Sequence, residues 1–519
     1  MFSVILFKDR AVSDRLQSLV LLAACTLGIL LVLYHIFTLV QSLRSPLRKL
    51  PGPWYAPLTT LYLRYAFARG TIWKLVESKH QQYGPVFRYG PRQIWISDKD
   101  ALRTILQRAD LPKVQMYAEI SRDAHSPGLF GEVRPEPHRI LKGFLSPRLT
   151  VADVDEEGHL FEKCIGDLIA KYYQLTKGKA KTDVVATDLM MDLHGVALDI
   201  MGECSFGRGF GQTPPLKEEY LGMEDRIWVQ ILHSIFHGLT RRYKMVYVKR
   251  WLRGLGIKLC FDWPADMIQA IDAIVKERSY CKDYSQPDLL QHFIDSGTRP
   301  GSSAPMNTRD IIDQLSEILL TGSETTSGTI ACLFRELLHI PEKKTKLLDS
   351  LPVLTATDPI INSKTVRTEP EFRYLDACIK ETLRLHPIAS EMGRKTGKDC
   401  CELAGYSIPP GNVVSASYRH LHRNPEFWPK PLKFWPERWL ENEKARDGAP
   451  EPDPYYPFSA GKHSCIGIKC AWAEMRMVAA NVFSRFDLED IRNLHIDFRQ
   501  YITMQLENGS HKVVLKQRL

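Results

Sequence analysis

The chain has 519 residues, 44% hydrophobic and 25% charged, an ordinary globular balance with enough length for a large core. Its net charge of +9 is scattered, without the dense Lys/Arg run of a nucleic-acid arm, and fits an acidic protein partner or an anionic lipid surface. The 11 cysteines, an odd number without a secreted-scaffold rhythm, argue for a reducing compartment and against a disulfide framework.

Residues 16–40 carry no Asp, Glu, Lys or Arg. A helix of that length reaches about 37 Å, enough to span a bilayer with some tilt. The expected division is a tail at 1–15, a transmembrane helix at 16–40 and a basic, proline-rich hinge at 41–60. One large body then fills 61–519. Arg44, Arg48 and Lys49 follow the apolar run with no acid among them, whereas Lys8, Arg10 and Arg15 before it are offset by Asp9 and Asp14. The positive-inside rule therefore predicts a single-pass protein with its body in the cytosol. In the hinge, Pro51, Pro53 and Pro57 forbid helix and make a stiff connector.

Two short runs around Gly90-Pro91, "PVFRYG" and "RQIWISD", predict a hairpin. From about 100 to 345 the pattern is mainly helical. A long helix is expected from Asn307–Thr308 onward, and within it lies "TGSETT" (321–326). Gly322 costs about 1 kcal/mol in a helix relative to Ala. Two readings of this stretch stand open. Either the hydroxyls bond back to the preceding turn, or the helix opens at Gly322 and presents Thr325 and Glu324 to a buried site that needs protons.

"YLDACIKETLRLHP" (374–387) is an amphipathic helix ended by Pro387, with Glu381 and Arg384 three apart on one face. An exposed pair there would contribute little. With Arg438 of "PERW" (436–439), expected in a non-helical, proline-braced loop, it could instead form a buried cluster that locks the following loop. That loop is "FSAGKHSCIG" (458–467). Cys465 stands just before a helix expected at about 466–485, where backbone N–H groups favour a thiolate. Gly461 and Gly467 would let a flat ligand approach, Phe458 would cover the sulfur's other side, and Lys462 and His463 add positive charge. The spacing alone leaves a haem ligand and a packed or redox cysteine equally open. A structural zinc is disfavoured, because Cys465 and Cys470 lack a second ligand pair at the right spacing. The C-terminal "YITMQLENGSHKVVLKQ" predicts two strands joined at Asn508-Gly509.

Taken together and in this order, "LPGPW", "TGSETT", "ETLR", "PERW" and "FSAGKHSCIG" resemble the cytochrome P-450 family of haem-thiolate monooxygenases, from about residue 50 to the end. The resemblance implies a mainly α fold with a small β portion, preceded by one transmembrane helix. It implies haem b (heme), with Cys465 as the axial thiolate on iron and Phe458, Gly461 and Gly467 framing it. Glu381, Arg384 and Arg438 would form the structural triad, and Thr325 with Glu324 would manage protons for dioxygen. Arg394 matches a propionate-binding position. His463, where the family usually has Arg, and His138 and Lys142, where it has a W-x-x-x-R pair, would be weaker haem contacts. Thr321 replaces a small residue beside the oxygen pocket. Residues 388–392 and 501–504 would line the substrate pocket.

The implied activity is insertion of one oxygen atom from O2 into a lipophilic small molecule. Electrons would come from a separate NADPH-cytochrome reductase docking near Lys462 and Lys469. The motif wording resembles filamentous-fungal members that tailor polyketides, terpenoids or alkaloids; a sterol or fatty-acid hydroxylase is the alternative. A same-fold isomerase or dehydratase and a non-catalytic haem-binding protein are disfavoured by the Glu324–Thr325 pair. The implied location is the endoplasmic reticulum membrane, with lipid but no nucleic acid as a partner.

Overall fold

The computed structural model describes residues 3–109, 111–119, 126–179, 184–213, 265–280, 288–441, 454–491, 497–500, 502–507 and 509–518. An N-terminal helix runs Ser3–Arg44, and within it Ser18–Gln41 is apolar and long enough to cross a membrane. A short 3-10 turn, Pro46–Lys49, follows. Leu47 and Leu50 are buried there, so the hinge is docked on the body where it joins it.

The body is mainly helical. Its longest helix, Thr308–His339, is capped by Asn307 and Asp310, which satisfy each other's backbone N–H groups in a capping box. This helix links two cores. Leu315, Leu319 and Leu320 pack with Leu198, Phe206 and Phe293; Ile330, Phe334 and Leu337 pack with the helices Arg373–Leu385 and Ile468–Arg485. Between them lies the polar stretch 321–329, so the helix carries its polar centre across the junction of the two cores.

One four-stranded sheet matters for the site. Val86–Gly90 and Gln93–Ile96 form the expected antiparallel hairpin; Val413–Ser417 adds in parallel, and Glu391–Lys395 closes the edge antiparallel. Arg394 pairs with Val414 in that edge strand and, on its outer side, makes an isolated antiparallel bridge to Lys113.

Three local expectations change. Met504–Leu506 and Lys512–Gln517 are strands, but they do not pair with each other. The first pairs with Phe498–Gln500, the second with Phe486–Asp490 and Ala186–Asp188. A turn signal fixes a chain reversal; burial of Val513 and Leu515 in the main core decides the pairing. Asn508 and Tyr501 lie outside the described residues. Second, Arg438–Glu441 is a short helix, because Pro436 precedes it and removes no hydrogen bond from its interior. Third, the long helix does not open at Gly322. A Cβ there would lie 2.6 Å from Met201 Sδ of the helix Leu189–Phe206, whose flexible side chain would have to shift to admit it.

Candidate active site

The Cys loop is built from two turns and a cap. Cys465 N–H donates to Phe458 O at 2.9 Å, and Ser464 N–H to Gly461 O at 3.1 Å, which coils the loop before the helix Ile468–Arg485 begins. Gly461 has φ +70°, and a Cβ on it would stand 2.1 Å from Leu106 O. The protein's own backbone therefore requires glycine at this position. Gly467 is the opposite case: a Cβ there would meet nothing within 4 Å.

Cys465 is exposed although protein surrounds it, so its sulfur faces an internal space. Burial pushes its thiol up, opposed by the Gly467 N–H and the Lys142 ammonium. The backbone donor is present, but it does not outweigh desolvation. Phe458 packs on the main core, 6.4 Å from the Trp472 ring, and Ile466 on the second core. The cysteine thus sits at the junction that the long helix crosses.

That helix shows the same space from another side. Between Leu315 and Ile330 almost every position is buried, but Ile318, Thr321, Gly322 and Thr325 keep partial exposure. Their spacing of i, i+3, i+4, i+7 is one helical face. The hydroxyls bond back to the preceding turn: Thr321 to Glu317 O at 2.9 Å, Ser323 to Leu319 O at 2.7 Å and Thr325 to Thr321 O at 2.8 Å. Glu324 is 1% exposed, its Oε1 has no hydrogen-bond partner, and burial pushes its carboxyl up to about 8. It is a neutral acid at pH 7, able to donate a proton.

A third wall is cationic. Arg394, 1% exposed, spends Nη1 on Gly393 O and leaves Nη2 without a partner. The His138 and His463 rings lie 4.6 Å apart with planes tilted by 51°, and each is held down to about 3 by burial and by Lys113, Lys142 and Arg394. His463 Nδ1 is also buried and partnerless. Lys142 points elsewhere: its ammonium donates to Lys462 O, Ser464 O and Ser464 Oγ at 2.8, 3.0 and 3.0 Å. A buried guanidinium with a spare donor is stabilised by an anion.

The triad is assembled and dry. Glu381 and Arg384 are both 0% exposed and form a two-pronged pair, at 2.9 and 2.8 Å. Arg438 Nε, Trp435 N–H and Trp439 Nε1 also donate to Glu381, at 3.2, 2.9 and 2.9 Å. Arg384 Nη1 reaches His422 O at 2.7 Å, and His422 Nε2 accepts Tyr456 N–H at 2.8 Å, two residues before Phe458. Sequence reasoning misses His422 and Lys113. Neither stands in a recognisable motif, and only the tertiary fold brings them to the loop and to Arg394.

A mainly helical body, a cysteine facing an inner space, a polar helix face opposite and an anion-seeking wall define a haem-thiolate site. The description "Cytochrome P450" matches residues 50–513, and the chain belongs to that family. It is 27% identical to cytochrome P450 monooxygenase FUS8 of Gibberella moniliformis, over 98% of this chain and 96% of the relative. It is 28% identical to cytochrome P450 monooxygenase acrD of Aspergillus aculeatus, over 88% of each chain. To cytochrome P450 monooxygenase stcF of Emericella nidulans it is 26% identical, over 89% of this chain and 92% of the relative. The protein is a haem-dependent monooxygenase that uses O2, an organic substrate and electrons from a reductase. The residues around Cys465 fit the cofactor: the free Arg394 Nη2 and His463 Nδ1 suit its carboxylates, and the open side of Gly467 suits its flat ring.

Proposed function

We propose that the Cys465 sulfur would hold the haem iron and that the protein oxidises a lipophilic fungal secondary metabolite, a polyketide, terpenoid or alkaloid. The single observation that carries the site assignment is the exposed cysteine enclosed by protein, on the loop whose Ile466 packs on the same core as Ile318 of the long helix. Haem supplies the oxygen-transfer chemistry. The chain's own residues do the rest. Cys465 holds the iron, with its backbone fixed by Phe458 O. Arg394 and His463 offer donors to the carboxylates. Glu324 keeps a proton in a dry site, and Thr325, anchored on Thr321 O, holds the hydroxyl beside it. Glu381, Arg384 and Arg438 fix the scaffold behind the loop.

The secondary-metabolite reading rests on similarity to the fungal relatives, and a sterol or fatty-acid hydroxylase is the alternative that a substrate screen would separate. The body (61–519) is inferred to lie on the cytosolic side of the endoplasmic reticulum, held by the apolar helix. There the exposed Lys462 and Lys469 present a basic face to an NADPH-cytochrome reductase. The deciding experiment is the carbon monoxide difference spectrum of the reduced full-length protein beside Cys465→Ala. A strongly red-shifted Soret band that disappears in the variant supports the assignment. A wild type with bound haem and no such band overturns it.

A further inference from the structure

We infer that Gln505 is a positioning residue for Glu324: its amide stands in for the side chain that Gly328 lacks, and its Oε1 accepts the O–H of the Glu324 carboxyl. This rests on the haem-thiolate reading above, in which Glu324 keeps a proton for the site.

The geometry begins with Gly328, four residues after Glu324 in the long helix. Side chains at that spacing lie one above the other on a helix face. Position 328 has no side chain, and a distant strand fills its place. A Cβ on Gly328 would stand 2.9 Å from Gln505 Nε2 and 3.1 Å from Gln505 Oε1. Gln505 lies on the strand Met504–Leu506, 181 residues after Glu324, and is 7% exposed. Its Nε2 donates to Glu324 O at 3.1 Å, which holds the amide in the notch. The amide therefore sits where a side-chain partner of Glu324 on its own helix would sit, a place from which Gln and an acid pair well.

Each of the two side chains lacks what the other offers. Glu324 Oε1 and Gln505 Oε1 are both buried without a hydrogen-bond partner. Glu324, pushed up by burial, carries an O–H to donate at pH 7, and Gln505 Oε1 can only accept. The neighbouring hydroxyls are committed elsewhere. Ser323 donates to Leu319 O and Thr325 to Thr321 O. Ser327 Oγ lies between Ser323 O and the His194 ring, at 2.7 and 2.8 Å. An acceptor on the neutral form favours the protonated acid. Gln505 thus orients the carboxyl and helps to keep its proton in place. It also ties this turn of the helix to the strand that Met504 N–H anchors on Ile388 O at 2.9 Å.

The test is infrared difference spectroscopy of the full-length holoprotein in H2O and D2O. It reads the carbonyl stretch of the protonated Glu324 carboxyl, assigned by its loss in Glu324→Gln. Gln505→Met keeps the length of the side chain and removes the amide. Gly328→Ala keeps Gln505 and crowds its amide out of the notch. In both variants the band should move to higher wavenumber, as a carboxyl does when it loses its acceptor. With reductase and NADPH, the share of reducing equivalents released as hydrogen peroxide should rise about 2- to 10-fold, the change that one ordinary hydrogen bond makes. If Gln505→Met does not fold, Gly328→Ala carries the comparison, because a helix favours alanine over glycine. A wild type without such a band, or a band unmoved in the variants while only their melting temperature falls, overturns the inference and leaves Gln505 as a packing residue. The carbon monoxide band of the wild type reports the thiolate separately, so a failure here and a failure of the haem-thiolate reading are distinguishable.

Discussion

Glu324 is the residue whose chemistry depends most on where the fold places it. Its carboxyl ordinarily releases its proton near pH 4.5, and burial holds it to about 8 in the folded protein. Below pH 4.5 both folded and unfolded chains keep the proton and nothing is lost. Between 4.5 and 8 the unfolded chain releases it and the folded one does not, so this residue's stabilising contribution falls as pH rises. Glu324→Gln removes the titration and keeps the shape. It should therefore melt at nearly the wild-type temperature at pH 4.5 and roughly 3 °C or more above it at pH 8. Melting curves at the two pH values check this; a difference that does not grow with pH would mean that the carboxyl is not held neutral. The same variant should consume reductant with less product, because the site loses its buried acid. Sequence made the identity of this acid legible, next to Thr325 in a polar interruption of an apolar helix. It did not make its solvation legible, since burial is set by segments distant in sequence that pack on the helix, such as the strand carrying Gln505, whose amide donates to the backbone Glu324 O at 3.1 Å.

Elements are tied to the cysteine loop through a relay of side-chain hydrogen bonds. Glu381 on its helix fixes Arg384; Arg384 fixes His422 O; His422 Nε2 receives Tyr456 N–H; and the loop from Tyr456 ends at Cys465. His422 is fully buried, and burial together with Arg384 holds its ring down to about 3, so it is neutral and its Nε2 can accept. His422→Ala leaves the Tyr456 N–H buried and without an acceptor, at a cost of about 1–3 kcal/mol. The expected outcome is a shorter lifetime of the red-shifted carbon monoxide band at a temperature where the global fold persists. His422→Gln, which returns an acceptor, should recover part of it. Band lifetime tracking global unfolding in both variants would reduce His422 to a packing residue. The ends of this relay were readable from motif spacing, but its middle was not. Glu381 and Arg384 are three apart on one helix and announce themselves, whereas His422 follows a short helical turn with no sequence signal, and only the burial of that turn turns its ring into a connector. The terminal hairpin failed for a related reason: Gly509 does take φ +62°, yet the strands on either side find partners elsewhere.

For the whole molecule, the question is how the body would meet a bilayer that its first helix is long and apolar enough to cross. The hinge answers part of it, because Leu47 and Leu50 are buried and leave little slack between Arg44 and the body. Just beyond, Trp54, Leu61, Tyr62 and Tyr65 are 83%, 69%, 57% and 62% exposed, on the hinge and on one side of the helix Leu61–Arg69. Such a concentration of large apolar side chains is costly in water. Trp and Tyr favour the headgroup region, where the ring is buried and its polar edge stays wet. Arg69, lying 5.5 Å over the Tyr65 ring, supplies a cation at the same level. The patch should therefore rest in the headgroup layer beside the anchor and set the tilt of the body. In phospholipid vesicles, the emission that distinguishes the full-length wild type from Trp54→Phe should be quenched by bromine-labelled lipid and poorly by acrylamide. The reverse pattern, acrylamide quenching without lipid quenching, would place Trp54 in water and leave the apolar helix as the sole contact with the membrane.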